Sequence, residues 1–229
     1  NKLQLGILDF GVMESLNNDA DLYIVEISSY QLDYTNNLNL LTGVITNISP
    51  DHLDRYPDFD AYKKSKLSLY SYCAINIVNL NEPLVNKIKS DSCYVIDDAE
   101  FNCEFSAKKD GDSYNFFHRK NVLMSSDELM IVGRHNVENI LAALSLGSQI
   151  GLSLKSMVRA AKDFKGLKHR LEWVVNLKGV DYFNDSKSTN SISTITAIKA
   201  LSEKYKSLIL IAGGIAKNED YSKLFQLIS

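Results

Sequence analysis

Four short apolar runs constrain this chain most: "LYIVEI" (22–27), "GVITNI" (43–48), "AINIVNL" (74–80) and "CYVID" (93–97). Each is rich in β-branched residues, bounded by turn formers, and separated from the next by polar or helical stretches. Continuous apolar runs of this length suit strands covered on both faces, as in a parallel sheet packed between helices. The fold class is therefore read as α/β with a largely parallel sheet. "DFDAYKKSKLSLYSY" sets Phe59, Tyr62, Leu67 and Tyr70 at approximately helical spacing. Residues 101–132 are more polar and read as small strands and hairpins. Two helices are expected next, over 135–150 and 153–164, the second capped by Ser153. "DFKGLKHR" breaks the pattern at Gly166 and reads as a linker. Beyond it come a hairpin-like pair of strands in "LEWVVNLKGVDYFND", a helix over 191–205, the strand "SLILIAGG" (207–214) and a last helix. This divides the chain into a domain over 1–166 and part of a second α/β domain over 167–229.

Composition excludes some classes of function. With 45% hydrophobic and 23% charged residues and a net charge of -3, the 229 residues can bury one large core or two smaller ones. The mild acidity gives no general pull toward nucleic acid or membrane. No secretory leader opens the sequence, and no apolar run reaches membrane-spanning length. Cys73, Cys93 and Cys103 form no CxxC pair and no metal spacing, and read as buried thiols of a reducing cytoplasm. The chain starts at Asn1 without a methionine and ends within a helical pattern, so both ends read as cuts through a longer protein.

Several segments carry polar groups where α/β sheets place ligands. Glu26 closes the first run and is followed by Ser28, Ser29 and Gln31. A carboxylate at the carboxyl end of a central strand is suited to a ligand site, or is simply a satisfied strand-end residue. "SPDHLD" follows the second run and brings His52 and Asp54 to the same sheet edge if the strands are neighbours. A His, Asp and Glu set with mostly oxygen donors suits magnesium better than zinc. The competing reading makes Asp51 a turn cap, His52 a surface residue and Arg55 a partner of Asp58. "GRHNVENILAAL" puts His135, Asn136 and Asn139 in one helical turn, the two amides three residues apart and fit for a base edge or ribose. An N-cap at Asn136 is the alternative. His169 and Arg170 lie at the linker, where a guanidinium can clamp phosphate or stay solvated. "FNDSKSTNS" ends a strand with Asp185, Lys187, Ser188 and Thr189 and opens a helix, an arrangement suited to anions. "AGGIAKNED" repeats it more weakly, with Lys217.

Taken together these segments resemble the Mur ligases of peptidoglycan synthesis, and most nearly the D-glutamate-adding branch. The resemblance runs in order through "VEISSYQL", "TNISPDHLDRY", "YKKSKLSLY", "GRHNVENILAAL", "GLKHRLE", "NDSKSTNS" and "AGGIAKNEDYSKL". The strand-end Glu, the DHxD and the HNxxN are shared with folylpolyglutamate synthase-like ligases, whereas "NDSKSTN" is more selective. The resemblance implies a central ATPase-like domain followed by part of a Rossmann-like domain. It implies an enzyme that uses ATP and Mg2+ to activate the carboxylate of UDP-N-acetylmuramoyl-L-alanine as an acyl phosphate, which the amine of D-glutamate attacks. By the same resemblance Glu26, His52 and Lys66 hold magnesium. Lys66 does so after carbamylation, which only a neutral amine undergoes. Asn136 and Asn139 lie by the adenine, and His169, Arg170 and Asp185 by the ribose and phosphates. Ser28, Lys187, Thr189 and Lys217 face the substrates or the transferred phosphate. His52, Lys66, Arg170 and Lys187 form the catalytic set.

The chain also departs from the family. No GxxxxGK[ST] occurs in it, and the Gly-Asn-x-Gly turn is matched by "LQLG", with Gln4 in place of Asn. By itself the chain is therefore expected to be inactive, with the amino-terminal part of the same protein as a further partner. The alternative is a non-catalytic remnant of such a ligase. A cytoplasmic location, without nucleic acid or membrane insertion, is expected.

Overall fold

The computed structural model describes residues 5–9, 21–50, 55–97, 102–215 and 220–228. The chain falls into two compact units, the first ending at Ser92 and the second beginning at Cys93.

In the first unit, β1 (Leu5–Asp9) runs parallel to β2 (Leu22–Glu26), with Asp9 opposite Glu26. The short helix α1 (Ser29–Asp33) follows at once. β3 (Leu40–Ile45) and β4 (Cys73–Asn79) form a second parallel pair, from Leu40 opposite Cys73 to Ile45 opposite Val78. Between them α2 (Phe59–Leu67) leads into a 3-10 turn over Ser68–Tyr72. Asp58 starts α2 by accepting the Ala61 N–H at 2.8 Å, which satisfies one of the free donors of the first turn. That role replaces the pairing of Asp58 with Arg55. The core of this unit joins Ile45, Ile48, Tyr62, Tyr70, Val78 and Val85, all buried.

β3 lies three residues earlier than "GVITNI" suggests. Its ladder begins where Leu40 meets Cys73. Past Ile45 side chains take over the backbone: Asn79 Nδ2 donates to the Thr46 carbonyl at 2.9 Å, and the Ile48 N–H donates to Glu82 Oε2 at 3.3 Å. Ile48 is apolar because it fills the core, without belonging to the strand.

The second unit opens with β5 (Ser92–Ile96) parallel to β6 (Phe105–Asp110). β7 (Ser113–His118) and β8 (Asn121–Ser125) add antiparallel neighbours and form the expected small β-rich segment. α3 (Arg134–Gln149) packs along β6 and buries Val137, Ile140, Leu141 and Leu144, a spacing of three and four that defines one helical face. α4 (Leu154–Asp163) is capped by Ser153, as read from sequence. β9 (Glu172–Leu177) and β10 (Val180–Asn184) form an antiparallel hairpin. Its two-residue turn has Lys178 and Gly179 both at positive φ, the twist that matches tight hairpins. α5 (Ser191–Ser202) and α6 (Ser222–Ile228) complete the described elements.

Three expectations are corrected here. "SLILIAGG" forms no strand: a strand needs a ladder neighbour, and the only described partner of β10 is β9. Ile209 and Ile211 stand 89% and 90% exposed. The cysteines are not three thiols. Cys93 and Cys103 are joined in a disulfide with Cα atoms 5.2 Å apart, leaving Cys73 free. Burial pushes the Cys73 thiol up to about 11. The helix read over 191–205 closes three residues sooner, at Ser202.

A Cβ on Gly43 would lie 2.4 Å from Cys73 Sγ. Gly43→Ala should therefore cost about 1–3 kcal/mol in urea unfolding, as overpacking does. Adding Cys73→Ala should recover part of that loss, and equal loss in the double variant would contradict this packing. Denatured without reductant, the chain should present one alkylatable thiol to mass spectrometry, and three after reduction.

Candidate active site

Glu26 is the last residue of β2 and is exposed at the carboxyl end of that strand. Two residues on, Ser28 caps α1 in a reciprocal box: its Oγ accepts the Gln31 N–H at 3.3 Å, and its own N–H donates to Gln31 Oε1 at 2.7 Å. Much of the polarity of "SSYQ" thus serves to start a helix beside Glu26. Ser29 is buried at 2% exposure, and its Oγ has no hydrogen-bond partner among the described residues. Its carbonyl accepts from Ser65 Oγ at 2.9 Å.

Ser65 is the residue before Lys66, so this bond ties the segment after Glu26 to the helix that carries Lys66. Lys66 is half-buried near the end of α2, with Nζ 5.6 Å from the centre of the Tyr62 ring one turn earlier. A ring face there holds the ammonium by its quadrupole and removes part of its solvent.

In the second unit, α3 begins at Arg134 with Gly133 as its N-cap, so Asn136 sits inside the first turn and does not cap it. Its Nδ2 donates back to the Val132 carbonyl at 2.8 Å, and its Oδ1 accepts from Asn139 Nδ2 at 3.4 Å. The two amides form one connected polar strip, with Asn139 exposed. His135 is partly buried beside them. Burial pushes its pKa below the ordinary value, and the nearby charge of Asp185 works against that shift.

Asp185 is itself held by the chain around it. Its Oδ1 accepts the Leu171 N–H at 2.8 Å, its Oδ2 accepts from Ser188 Oγ, and its carbonyl accepts the Ser188 N–H at 2.9 Å. His169 has a left-handed backbone, φ 66°, and gives its carbonyl to the Lys187 N–H at 3.0 Å. Its Nδ1 lies 2.9 Å from Asn184 Nδ2 and 3.7 Å from Glu172 Oε2. "GLKHRLE" and "NDSKST" are therefore clasped together, with Arg170, Lys187 and Thr189 exposed around the clasp. The structure brings His135, His169 and Asp185 into one neighbourhood, with Lys187 attached through its backbone.

His52, Asp54 and Lys217 lie outside the described residues. Among the described residues no group of three or more His, Cys, Asp or Glu is arranged to hold a metal ion. Glu26 supplies a hard carboxylate that fits magnesium. The Lys66 amine fits only once carbamylation has made it an oxygen donor.

Two groups of residues escaped the motif reading. Asp33, Arg55 and Tyr56 form a bonded cluster in the first unit, with Arg55 Nη2 at 3.3 Å and the Tyr56 hydroxyl at 2.7 Å from Asp33 Oδ2. Burial opposes ionisation of Asp33, but the hydrogen bond from Tyr56 and the charge of Arg55 outweigh it and hold the carboxyl below its ordinary range. In the second unit, Arg134 pairs with Asp97 at 3.2 Å and Glu138 at 3.4 Å. The only signal for the first group was the tyrosine pair Tyr30 and Tyr34, one helical turn apart.

A profile of the Mur ligase middle domain matches residues 9–147. The chain is 40% identical over 223 residues to a protein of Marinobacter nauticus named UDP-N-acetylmuramoylalanine–D-glutamate ligase, covering 95% of this chain and 49% of that protein. It is 36% identical over 222 residues to a protein of the same name from Coxiella burnetii, covering 95% and 50%. The chain thus spans about half the length of the curated relatives it matches. Among solved structures, UDP-N-acetylmuramate-alanine ligase MurC of Thermotoga maritima superposes with a TM-score of 0.61 over 81% of this chain and 42% of that one. At 15% identity that likeness shows a shared fold.

The burial of His135 has a pH signature. Its folded pKa lies below the unfolded value of about 6.5, so on acidification the unfolded state takes up the proton first. Stability is then full above about pH 6.5 and falls as the pH drops through that value toward the folded pKa. His135→Gln should flatten this fall, measured as the change in thermal midpoint between about pH 7.5 and 5.5. An unchanged slope would show that His135 is not the titrating group.

Proposed function

The chain belongs to the Mur ligase family, and on that premise we propose that it is part of an ATP-dependent ligase joining D-glutamate to UDP-N-acetylmuramoyl-L-alanine in the cytoplasm. The observation that carries the reading is its 40% identity, over nearly its whole length, to a protein bearing that name. Residues 1–166 are the central ATP-binding domain, a reading supported by the profile match and by the break at Gly166, whose φ is 87°. Residues 167–229 are part of the amino-acid-binding domain.

In this reading Asn136 and Asn139 meet the adenine edge, their amides already linked to each other and to the Val132 carbonyl. His169, Arg170 and Asp185 surround the ribose and phosphates. The clasp between "GLKHRLE" and "NDSKST" supports this by fixing the backbone of His169 and Lys187. Lys187, Thr189 and Lys217 supply positive charge and hydroxyl donors to the D-glutamate carboxylates or the departing phosphate, with Ser28 on the substrate side. Glu26, His52 and carbamylated Lys66 hold magnesium, which when bound screens the negative oxygens brought together for phosphoryl transfer.

The test uses the complete gene product, followed by release of ADP and phosphate. Release should require UDP-N-acetylmuramoyl-L-alanine and D-glutamate together. Lys66→Ala should abolish it, with partial return on adding a short carboxylate, whereas unchanged turnover would remove Lys66 from the site. The 229-residue chain alone should release no phosphate. A complete gene product with no turnover would support a non-catalytic remnant instead.

A further inference from the structure

The bridge between Cys93 and Cys103 belongs to no residue set assigned above, yet it closes the open end of a ladder that seats α3. β5 and β6 pair at three positions, from Tyr94 opposite Phe105 to Ile96 opposite Ala107. Cys93 stands immediately before Tyr94, and Cys103 two residues before Phe105. Tyr94, Phe105 and Ala107 are fully buried and Ile96 is 2% exposed, so this part of the sheet has its own packed core. Permanent bridges matter most in small secreted domains that cannot build such a core. Packing already holds these strands.

The residue after Cys103 links the bridge to α3. Glu104 Oε1 accepts from Ser148 Oγ at 2.7 Å and Glu104 Oε2 from Gln149 Nε2 at 3.3 Å, both in the last turn of that helix. Its carbonyl accepts the Arg119 N–H at 2.8 Å, and His118 Nε2 lies 3.6 Å from Oε1. A carboxylate at a helix C-terminus opposes the macrodipole, so these bonds are what keep Glu104 there. The first turn of the same helix holds Asn136 and Asn139.

The two sulfurs differ in access. Cys103 is 2% exposed, whereas Cys93 is partly exposed, so reagents reach the pair through Cys93. Cys73 competes poorly: burial pushes its thiol up to about 11, and its Sγ donates to the Leu69 carbonyl at 3.3 Å. Thiol systems of a reducing compartment open disulfides, and those that do form there are mostly transient and redox-sensing.

We propose that Cys93 and Cys103 are a reversible redox pair, a dithiol in a reducing cytoplasm and a bridge under oxidation by a small-molecule disulfide, and that closure tightens the Glu104 hold on α3. The proposal rests on the cytoplasmic placement of the ligase. Closure consumes two protein thiols and one small disulfide such as oxidised glutathione. The Cys93 thiolate attacks a glutathione sulfur, the glutathione S–S bond breaks, and one glutathione leaves. Cys103 then attacks the Cys93 sulfur, the protein S–S bond forms, and the second glutathione leaves. Two electrons pass to the oxidant, and the two thiol protons end on the two glutathiones.

The experiment equilibrates the complete gene product with mixtures of reduced and oxidised glutathione, then quenches with acid, alkylates and maps the peptides. Excess reduced glutathione should open the bridge, and oxidised glutathione should close it again. Cys103→Ser should hold one glutathione on Cys93, and Cys93→Ser should hold none on Cys103. A bridge that survives excess reduced glutathione is a permanent structural one and overturns the proposal, as do thiols that never close. Hydrogen exchange in both states tests the link to α3. Residues 104–107 and 145–149 should exchange at least about 10-fold faster in the dithiol form, and equal rates at 145–149 would overturn that link. In the native cells the pair should be reduced during growth and closed after a thiol oxidant. A pair found closed in growing cells, although glutathione opens it in vitro, would overturn the cytoplasmic placement on which the switch depends.

Discussion

The Tyr70 hydroxyl accepts the Ile45 N–H at 3.3 Å and donates to the Ile77 carbonyl at 3.0 Å, so a buried side chain links two adjacent parallel strands. Both bonds lie out of water, where an unmet partner costs more than an average hydrogen bond contributes. They fix the 3-10 turn that carries Tyr70, and with it the helix running into that turn. Burial pushes the phenol up to about 12, so it stays a neutral donor at any physiological pH. With Tyr70 anchored, Tyr62 enters the same core from the middle of α2. Lys66, one turn later, must then emerge above the Tyr62 ring. The position of this otherwise ordinary lysine follows from core packing.

Elements whose signal is local were legible in the sequence. Apolar runs, the Ser153 cap and the Lys178–Gly179 turn carry their instructions within a few residues, and β2, β4, β5, α4 and the β9–β10 hairpin lie close to where those instructions put them. Features that depend on a distant partner were not legible. The shift of β3 depends on Cys73, Asn79 and Glu82, all from later in the chain. "SLILIAGG" has the composition of a strand, but composition cannot supply a neighbour. Cys93 and Cys103 are brought together by the path from β5 to β6, which a spacing of ten residues does not encode.

The site divides along the same line. The strand-end position of Glu26 and the joint placement of Asn136 and Asn139 followed from periodicity and strand ends. The grouping of His169 with Asp185 came from the family resemblance, since the residue reading had left one at a linker and the other at a strand end. Motif reasoning missed Asp33, because an aspartate ending a five-residue helix has no local signature. Its partners come from residues 55 and 56, and only the fold gathers them. Ser28 and Gln31, read from sequence as polar neighbours of a ligand site, also form the cap that starts α1.

The start of α3 shows how packing overrides a local rule. Serine, threonine, aspartate and asparagine are the preferred caps, yet Gly133 stands there at φ 95° without a side-chain bond to the first turn. A Cβ at that position would come 2.5 Å from the Ala200 methyl of α5 and 2.9 Å from the His135 ring, so no capping side chain fits. Arg134 compounds the cost, since a cation at a helix N-terminus opposes the macrodipole. Asp97 and Glu138 neutralise that charge from either side. The close approach of α3 to α5 therefore takes precedence over capping. It seats His135 beside Asp185 and leaves the polar strip of Asn136 and Asn139 on the first turn, at the end of the helix where the proposed function puts the nucleotide.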